Sequence, residues 1–488
     1  MTKGNEPDPR RWKALAVTLG AGFMSLLDVS IVNVALPSIQ TGLGASAGAV
    51  QWVVSGYALA FGLTLVAGGR LGDALGRRRI FMMALAGFVF TSALAGAAPT
   101  MALLVAARLL QGASAGLLTP QSSGLIQNLF HGAERGRAFG LFGATIGIST
   151  AVGPVLGGLI IAGFGAETGW RWVFYVNVPI GIVALIFAAR LLPREEPRRI
   201  RIRTEIDFVG AALLGLAVVC ILFPVVQFES GKFANWWWLL PVAVVLGYVF
   251  IRWEHRTVRH GRAPLLDVRL FTSTAGFSSG AAIGMVYFCG FAGLFVVLAM
   301  FFQNGLHYTA LQSGLAVTSF ALGSAMSSAI SGRLVSRWGR RLTVRALSLT
   351  IFGFALTGVA ALLAPGDRAG LWMAVPLLVA GIGGGAVISP NVTLTLENVP
   401  NQMAGAAGGA LQTGQRVGTA VGAAVLVAAL HTGTDAAGGR FQTGFAVAIG
   451  VAVVIMGVAL ALAFREYRAR RSCSVDENLS QRSVISSQ

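Results

Sequence analysis

Three ionic side chains stand inside long apolar runs of this 488-residue chain: Asp28 in 14–36, Arg108 in 101–126 and Arg416 in 403–430. A charge near the middle of a lipid bilayer costs about 2.5–3.5 kcal/mol on insertion scales, so such residues face a partner or a water-filled cavity. Asp28 has about fourteen residues of its run before it, which is roughly 20 Å of helix. A carboxyl withdrawn from water holds its proton more tightly, and a proton-coupling group needs that property. A solvated acid that merely caps a turn is the blander alternative, and the depth of Asp28 disfavours it. Arg108 has Gln111 one turn on, which favours a cavity partner over snorkelling to an interface. Arg416 lies within Gly414-Gln415-Arg416-Val417-Gly418 and serves either the cavity or a gating contact. Asn33, in the same run as Asp28, is a further polar candidate for the cavity wall.

These residues need a scaffold, and the composition supplies one. The chain is 55% hydrophobic and only 11% charged, whereas a soluble protein carries about 25% charged residues. Fourteen apolar runs long enough to cross a ~30 Å hydrocarbon core follow one another. They fall at 14–36, 51–69, 80–98, 101–126, 138–163, 172–192, 207–228, 236–252, 274–302, 311–332, 343–364, 371–395, 403–430 and 443–464. An even number puts both termini on one side. About 31 of the 37 Lys and Arg residues fall on that side, about four on the other and two inside helices, which places both ends in the cytoplasm.

The loop Gly69-Arg70-Leu71-Gly72-Asp73-Ala74-Leu75-Gly76-Arg77-Arg78-Arg79 joins runs two and three. A degraded copy, Gly332-Arg333-Leu334-Val335-Ser336-Arg337-Trp338-Gly339-Arg340-Arg341, joins runs ten and eleven. A repeat in corresponding positions marks two related halves. They divide the chain into a cytoplasmic N-terminus (1–13), a six-helix bundle (14–192), a linker with two inserted helices (193–273), a second six-helix bundle (274–464) and a tail (465–488). The tail is polar and Ser-rich and reads as disordered.

Several other functions are disfavoured. The net charge of +18 comes from arginine clusters between apolar runs, with no nucleic-acid-binding motif beside it. Cys220, Cys289 and Cys473 lie far apart, and no metal-ligand spacing recurs among the five histidines. The first run is longer than the core of a signal peptide and carries Asp28. Lys232 follows Gly231, but Val226 stands where a P-loop needs its first glycine. No cofactor is expected, and an ion gradient is the expected energy source. Asp207 and Glu397, at helix edges, read as caps, and Trp236-Trp237-Trp238 as an interfacial anchor.

Five segments in order resemble a known family. Leu27-Asp28-Val29-Ser30-Ile31-Val32-Asn33-Val34-Ala35-Leu36-Pro37 resembles the first-helix signature of the fourteen-helix drug:proton antiporters of the major facilitator superfamily. The Gly69–Arg79 loop resembles the superfamily's cytoplasmic signature, with Ala74 in place of the usual basic residue. Arg108-Leu109-Leu110-Gln111-Gly112 is similar to its arginine motif for proton transfer. Gly147, followed by Gly153-Pro154-Val155-Leu156-Gly157-Gly158, is similar to the antiporter motif, and Trp170–Gly181 to the sixth helix of these exporters. Small residues let helices approach closely, and Pro154 removes a backbone donor and permits a bend. The resemblance implies that this bend limits leak and favours exchange.

What the resemblance implies is an all-α integral membrane protein with the major facilitator fold, two six-helix bundles of inverted repeats plus two inserted helices. The expected function is export of drugs, antibiotics or other lipophilic small molecules in exchange for protons, by a monomer in the plasma membrane, with no nucleic-acid partner. External protons would reach Asp28 in an outward-facing cavity and displace the drug. Proton coupling is assigned to Asp28 and Arg108, and the substrate cavity to Asp28, Asn33, Gln111 and Arg416. Gating is assigned to Gly69, Asp73, Gly76, Arg77 and Arg78, with Asp73 meeting the positive end of the thirteenth helix near Asn401 and locking the outward-facing state. Ser336 offers no such charge, so the halves should lock unequally. A proton-coupled importer of the same fold is the nearest rival, and direction of movement under a pH gradient separates the two. A sensor that moves nothing would not need costly buried charges, and an intramembrane enzyme lacks paired acids, HExxH or GxSxG.

Overall fold

In lipid every backbone polar group must be satisfied within the chain, so an apolar run of this length can only be helical. A computed structural model describes residues 9–165, 167–193, 207–228, 233–365 and 368–485. The expected segments 1–8 and 194–206 lie outside the described residues. Among those described, fourteen helices are long and apolar enough to cross a membrane. They are α1 (Arg11–Leu43), α2 (Ala47–Leu75), α3 (Arg77–Ala97), α4 (Met101–Leu129) and α5 (Gly132–Phe164). Next come α6 (Gly169–Leu191), α7 (Phe208–Phe228), α8 (Leu239–Arg259, after a short turn at Phe233–Trp236) and α9 (Phe277–Met300). The last are α10 (Ala310–Trp338), α11 (Arg340–Leu363), α12 (Ala369–Thr395), α13 (Ala404–Ala436) and α14 (Phe441–Ile485). Side-chain caps mark several starts: Ser46 accepts from Ala49 N, and Thr309 forms a capping box with Gln312.

The helices form two bundles, α1–α6 and α9–α14. Corresponding pairs pack in each: α2 on α4 and α10 on α12, α1 on α5 and α9 on α13, α3 on α4 and α11 on α12. Between the bundles α2 packs on α13 and α5 on α10, the reciprocal pairing that a two-fold axis requires. Of the inserted helices, α7 lies in the seam against both α2 and α13, and α8 packs on α7. Asp207 does cap α7, accepting from Gly210 N at 2.8 Å, and Trp253 Nε1 of α8 donates to its other oxygen at 2.8 Å. Beyond α8, the Arg269 side chain bonds Asp267 at 2.7 Å and holds its carboxyl below the usual carboxylate range.

One expectation about the tail is corrected. Helix α14 continues to Ile485, through most of the stretch read as disordered. The segment after Phe464 contains neither Gly nor Pro, so nothing in the sequence stops a helix that is already nucleated. Its first polar turn is also anchored. Glu466 accepts from Arg340 Nη2 at 3.0 Å, and Arg340 Nη1 donates to Asn391 Oδ1 at 2.8 Å.

Candidate functional site: a buried ion pair beside the inter-bundle cavity

Asp28 of α1 is wholly buried, and three donors from two other helices, α4 and α6, converge on its carboxylate. Arg108 Nη1 of α4 donates to Oδ2 at 2.5 Å, while Gln111 Nε2 and Asn177 Nδ2 donate to Oδ1 at 3.1 and 2.8 Å. The same Nη1 reaches Gln111 Oε1 at 2.7 Å, and Arg108 Nε donates to the Val53 carbonyl at 2.9 Å. The guanidinium lies over the Tyr57 ring, 4.2 Å from its centroid. A buried charge is tolerated when it is both paired and hydrogen-bonded, and this pair satisfies both conditions. Asp28, Arg108 and Gln111, each singled out in the sequence, thus meet in one network.

Asn177, Ser92 and Tyr57 belong to the same network but carry no charge that would have singled them out. Asn177 also donates to Ser92 Oγ at 3.1 Å, and Ser92 donates to the Phe174 carbonyl at 2.9 Å. The position of Asn177 follows from a break in α6, whose pieces are Gly169–Tyr175 and Asn177–Leu191. Pro179 has no N–H to offer the Tyr175 carbonyl, so the helix restarts with the proline in its first turn. That restart sets Asn177 against Asp28.

A cavity of about 220 Å³ adjoins this cluster, between α2 and α13 with α7 as a third wall. Arg108 and Arg416 line it, with Tyr57, Phe61 and the α7 residues Leu222 and Val225. Three of the expected cavity residues are not on its wall. Asp28 and Gln111 are fully buried behind Arg108, and Asn33 is exposed elsewhere on α1. Five residues of helix rotate Asn33 about 140° away from Asp28, which puts it on another face. Arg416 does line the cavity.

The end of the bundles nearest the termini is closed. Gly69 approaches the Gly405 backbone so closely that a Cβ would strike its carbonyl, and Gly332 meets Gly136 in the same way. Asp73 accepts from Gly405 N at 3.1 Å and Ala406 N at 2.9 Å, in the first turn of α13. Arg77 Nη2 holds the carboxylate at 2.7 Å and donates to the Asn401 carbonyl at 2.8 Å. Its Nη1 also reaches the Gly124 carbonyl. The expected contact between Asp73 and the thirteenth helix is therefore formed. Gly76, with φ of 99°, makes the sharp turn that sets Arg77 at the start of α3. Arg78 bonds the Ala189 carbonyl of α6 at 2.6 Å, inside its own bundle. Ser336, in the copied loop, is exposed.

Helix α5 carries the proline motif. Pro154 leaves the Thr150 carbonyl without its helical donor, and Ser30 Oγ of α1 donates to that carbonyl at 3.2 Å. Gly153 faces Ser30 with no room for a side chain, and Gly157 sits against Ile31 and Val34 more tightly than an ordinary Cβ would. Gly158 faces open space, so it does not share their packing role.

Two bundles around a central cavity with buried charges define a membrane transporter. The model of the Major Facilitator Superfamily matches residues 18–423 and 280–486, and the chain belongs to that family. It is 37% identical over 431 residues to the probable actinorhodin transporter of Streptomyces coelicolor, covering 87% of this chain and 73% of that one. It is 38% identical over 427 residues to the puromycin resistance protein of Streptomyces alboniger, covering 86% and 82%. These relatives, with multidrug resistance proteins of Mycobacterium tuberculosis, put it in the superfamily's drug-efflux group. A solved proton:xylose symporter shares the fold, with a TM-score of 0.67 at 16% identity over 94% of this chain and 96% of that one.

Proposed function

We propose that this protein exports drugs, antibiotics or other lipophilic small molecules across the bacterial cytoplasmic membrane in exchange for protons, by alternating access. The observation that carries the reading is the buried Asp28–Arg108 pair at the cavity wall. A proton on Asp28 cancels the charge that holds Arg108. Because Arg108 itself lines the cavity, proton uptake is felt where the substrate sits. Both termini are cytoplasmic in this reading, on the strength of the arginine distribution. The closed end is then the cytoplasmic end and the described state faces outward. One chain encloses the cavity, so a monomer suffices. The relatives named for actinorhodin transport and puromycin resistance support antibiotics as the substrate class. A susceptibility panel tests the reading in a pump-deficient bacterial host. Expression of the wild type should raise resistance to some compounds and Asp28→Asn should not, while equal protection by both would overturn it.

A further inference from the structure

The two arginines on the cavity wall are not equivalent. Arg108 is neutralised by Asp28 and held by Gln111 and the Val53 carbonyl. Arg416, on α13 of the other bundle, forms no hydrogen bond and no ion pair with the described residues. Its guanidinium lies over the Phe61 ring, 4.5 Å from the centroid. Phe61 is stacked on Tyr57 with centroids 6.1 Å apart, and Tyr57 carries Arg108 on its ring. A row of cation, two rings and cation thus runs from one bundle to the other along α2.

Among the described residues, no Asp or Glu lines the cavity. The acid that would attract a cationic compound, Asp28, is buried and has both oxygens committed. The remaining wall is largely aliphatic and aromatic. A cation at membrane depth without a counter-charge is costly, and an anion brought to it in a low-dielectric site repays part of that cost.

We propose that the cavity takes an aromatic or aliphatic compound bearing an acidic group, a carboxylate or a phenolate, which pairs with Arg416. The geometry of a guanidinium suits bidentate pairing with a carboxylate. The apolar body lies against Phe61 and the α7 residues Leu222 and Val225, which gives the inserted helix a part in substrate contact. The anion site and the proton site sit on different bundles, so the substrate need not compete with the proton for one group. This inference rests on the exporter reading for its biological direction, but binding itself requires no gradient.

The test is equilibrium binding to the purified full-length protein in detergent at pH 7. The probes are 2-naphthoate and its cationic counterpart 2-naphthylmethylammonium, two compounds of one shape and opposite charge. The wild type should bind the naphthoate at least tenfold more tightly. Arg416→Gln should lose at least tenfold for naphthoate and not weaken the ammonium, while Arg416→Lys, which keeps the charge but not the bidentate fork or the ring contact, should bind naphthoate less tightly than wild type and more tightly than Arg416→Gln. Undetectable naphthoate binding, equal or tighter binding of the ammonium, or unchanged naphthoate binding in Arg416→Gln would each overturn the proposal. Failure of proton coupling would appear only in experiments under a gradient and leave this result standing.

Discussion

Asp73→Asn is expected to weaken the closed end of the bundles by an amount that can be worked out from the contacts. The carboxylate accepts from two backbone N–H groups of α13 and from Arg77. An asparagine has one acceptor oxygen, so its NH₂ would point at one of these donors and leave it unmet. Hydrogen bonds to a charged group contribute about 1.5–3 kcal/mol and neutral ones about 1 kcal/mol. Losing one bond and weakening the rest costs about 2–4 kcal/mol, a shift of roughly 30- to 1,000-fold in the equilibrium between closed and open ends. Spin labels at the exposed positions Arg79 and Gln402 report the distance between the bundles there, after replacement of Cys220, Cys289 and Cys473. Wild type should give mainly the short distance and Asp73→Asn a large long-distance population. An unchanged distribution would refute the reasoning.

Two further outcomes follow from single contacts. Arg340→Gln removes the cation that Glu466 meets at 2.8 Å and should destabilise the protein by about 1–3 kcal/mol, seen as a lower unfolding temperature in detergent. Adding Glu466→Gln should recover part of that loss, because the two residues couple. Ser30→Ala removes the donor to the Thr150 carbonyl opposite Pro154 and should weaken the α1–α5 contact by about 1 kcal/mol. Proton leak without substrate should then rise about five-fold in proteoliposomes.

Much of this architecture is legible in the chain because lipid is an exacting solvent. Each crossing must be long, apolar and helical, so the fourteen spans and their order can be read directly from the runs. Helix ends were less visible: α1 begins at Arg11 and α5 at Gly132, because helices continue into the watery margin where hydropathy no longer marks them. Asp28 and Arg108 stood out because each is too costly to leave unpaired in lipid. Asn177 and Ser92 are cheap when taken singly, and only the break in α6 shows that Asn177 reaches Asp28, with Ser92 bonded behind it. Asn33 lies five residues from Asp28, and that rotation of the helix sets it on another face of α1, where it is exposed. The Arg340–Glu466 pair was hidden for a different reason, since both partners sit in basic segments that read as solvated.

The central claim is that the proton exchanged for substrate is carried by Asp28. It is tested most directly by adding an exported compound to proteoliposomes that contain the purified protein and a trapped pH dye. Wild type should move protons opposite to the substrate as soon as it is added. Asp28→Asn, which keeps the size of the side chain, should still bind the compound but move no protons. Substrate-driven proton movement that persists at the wild-type rate in Asp28→Asn would contradict the claim.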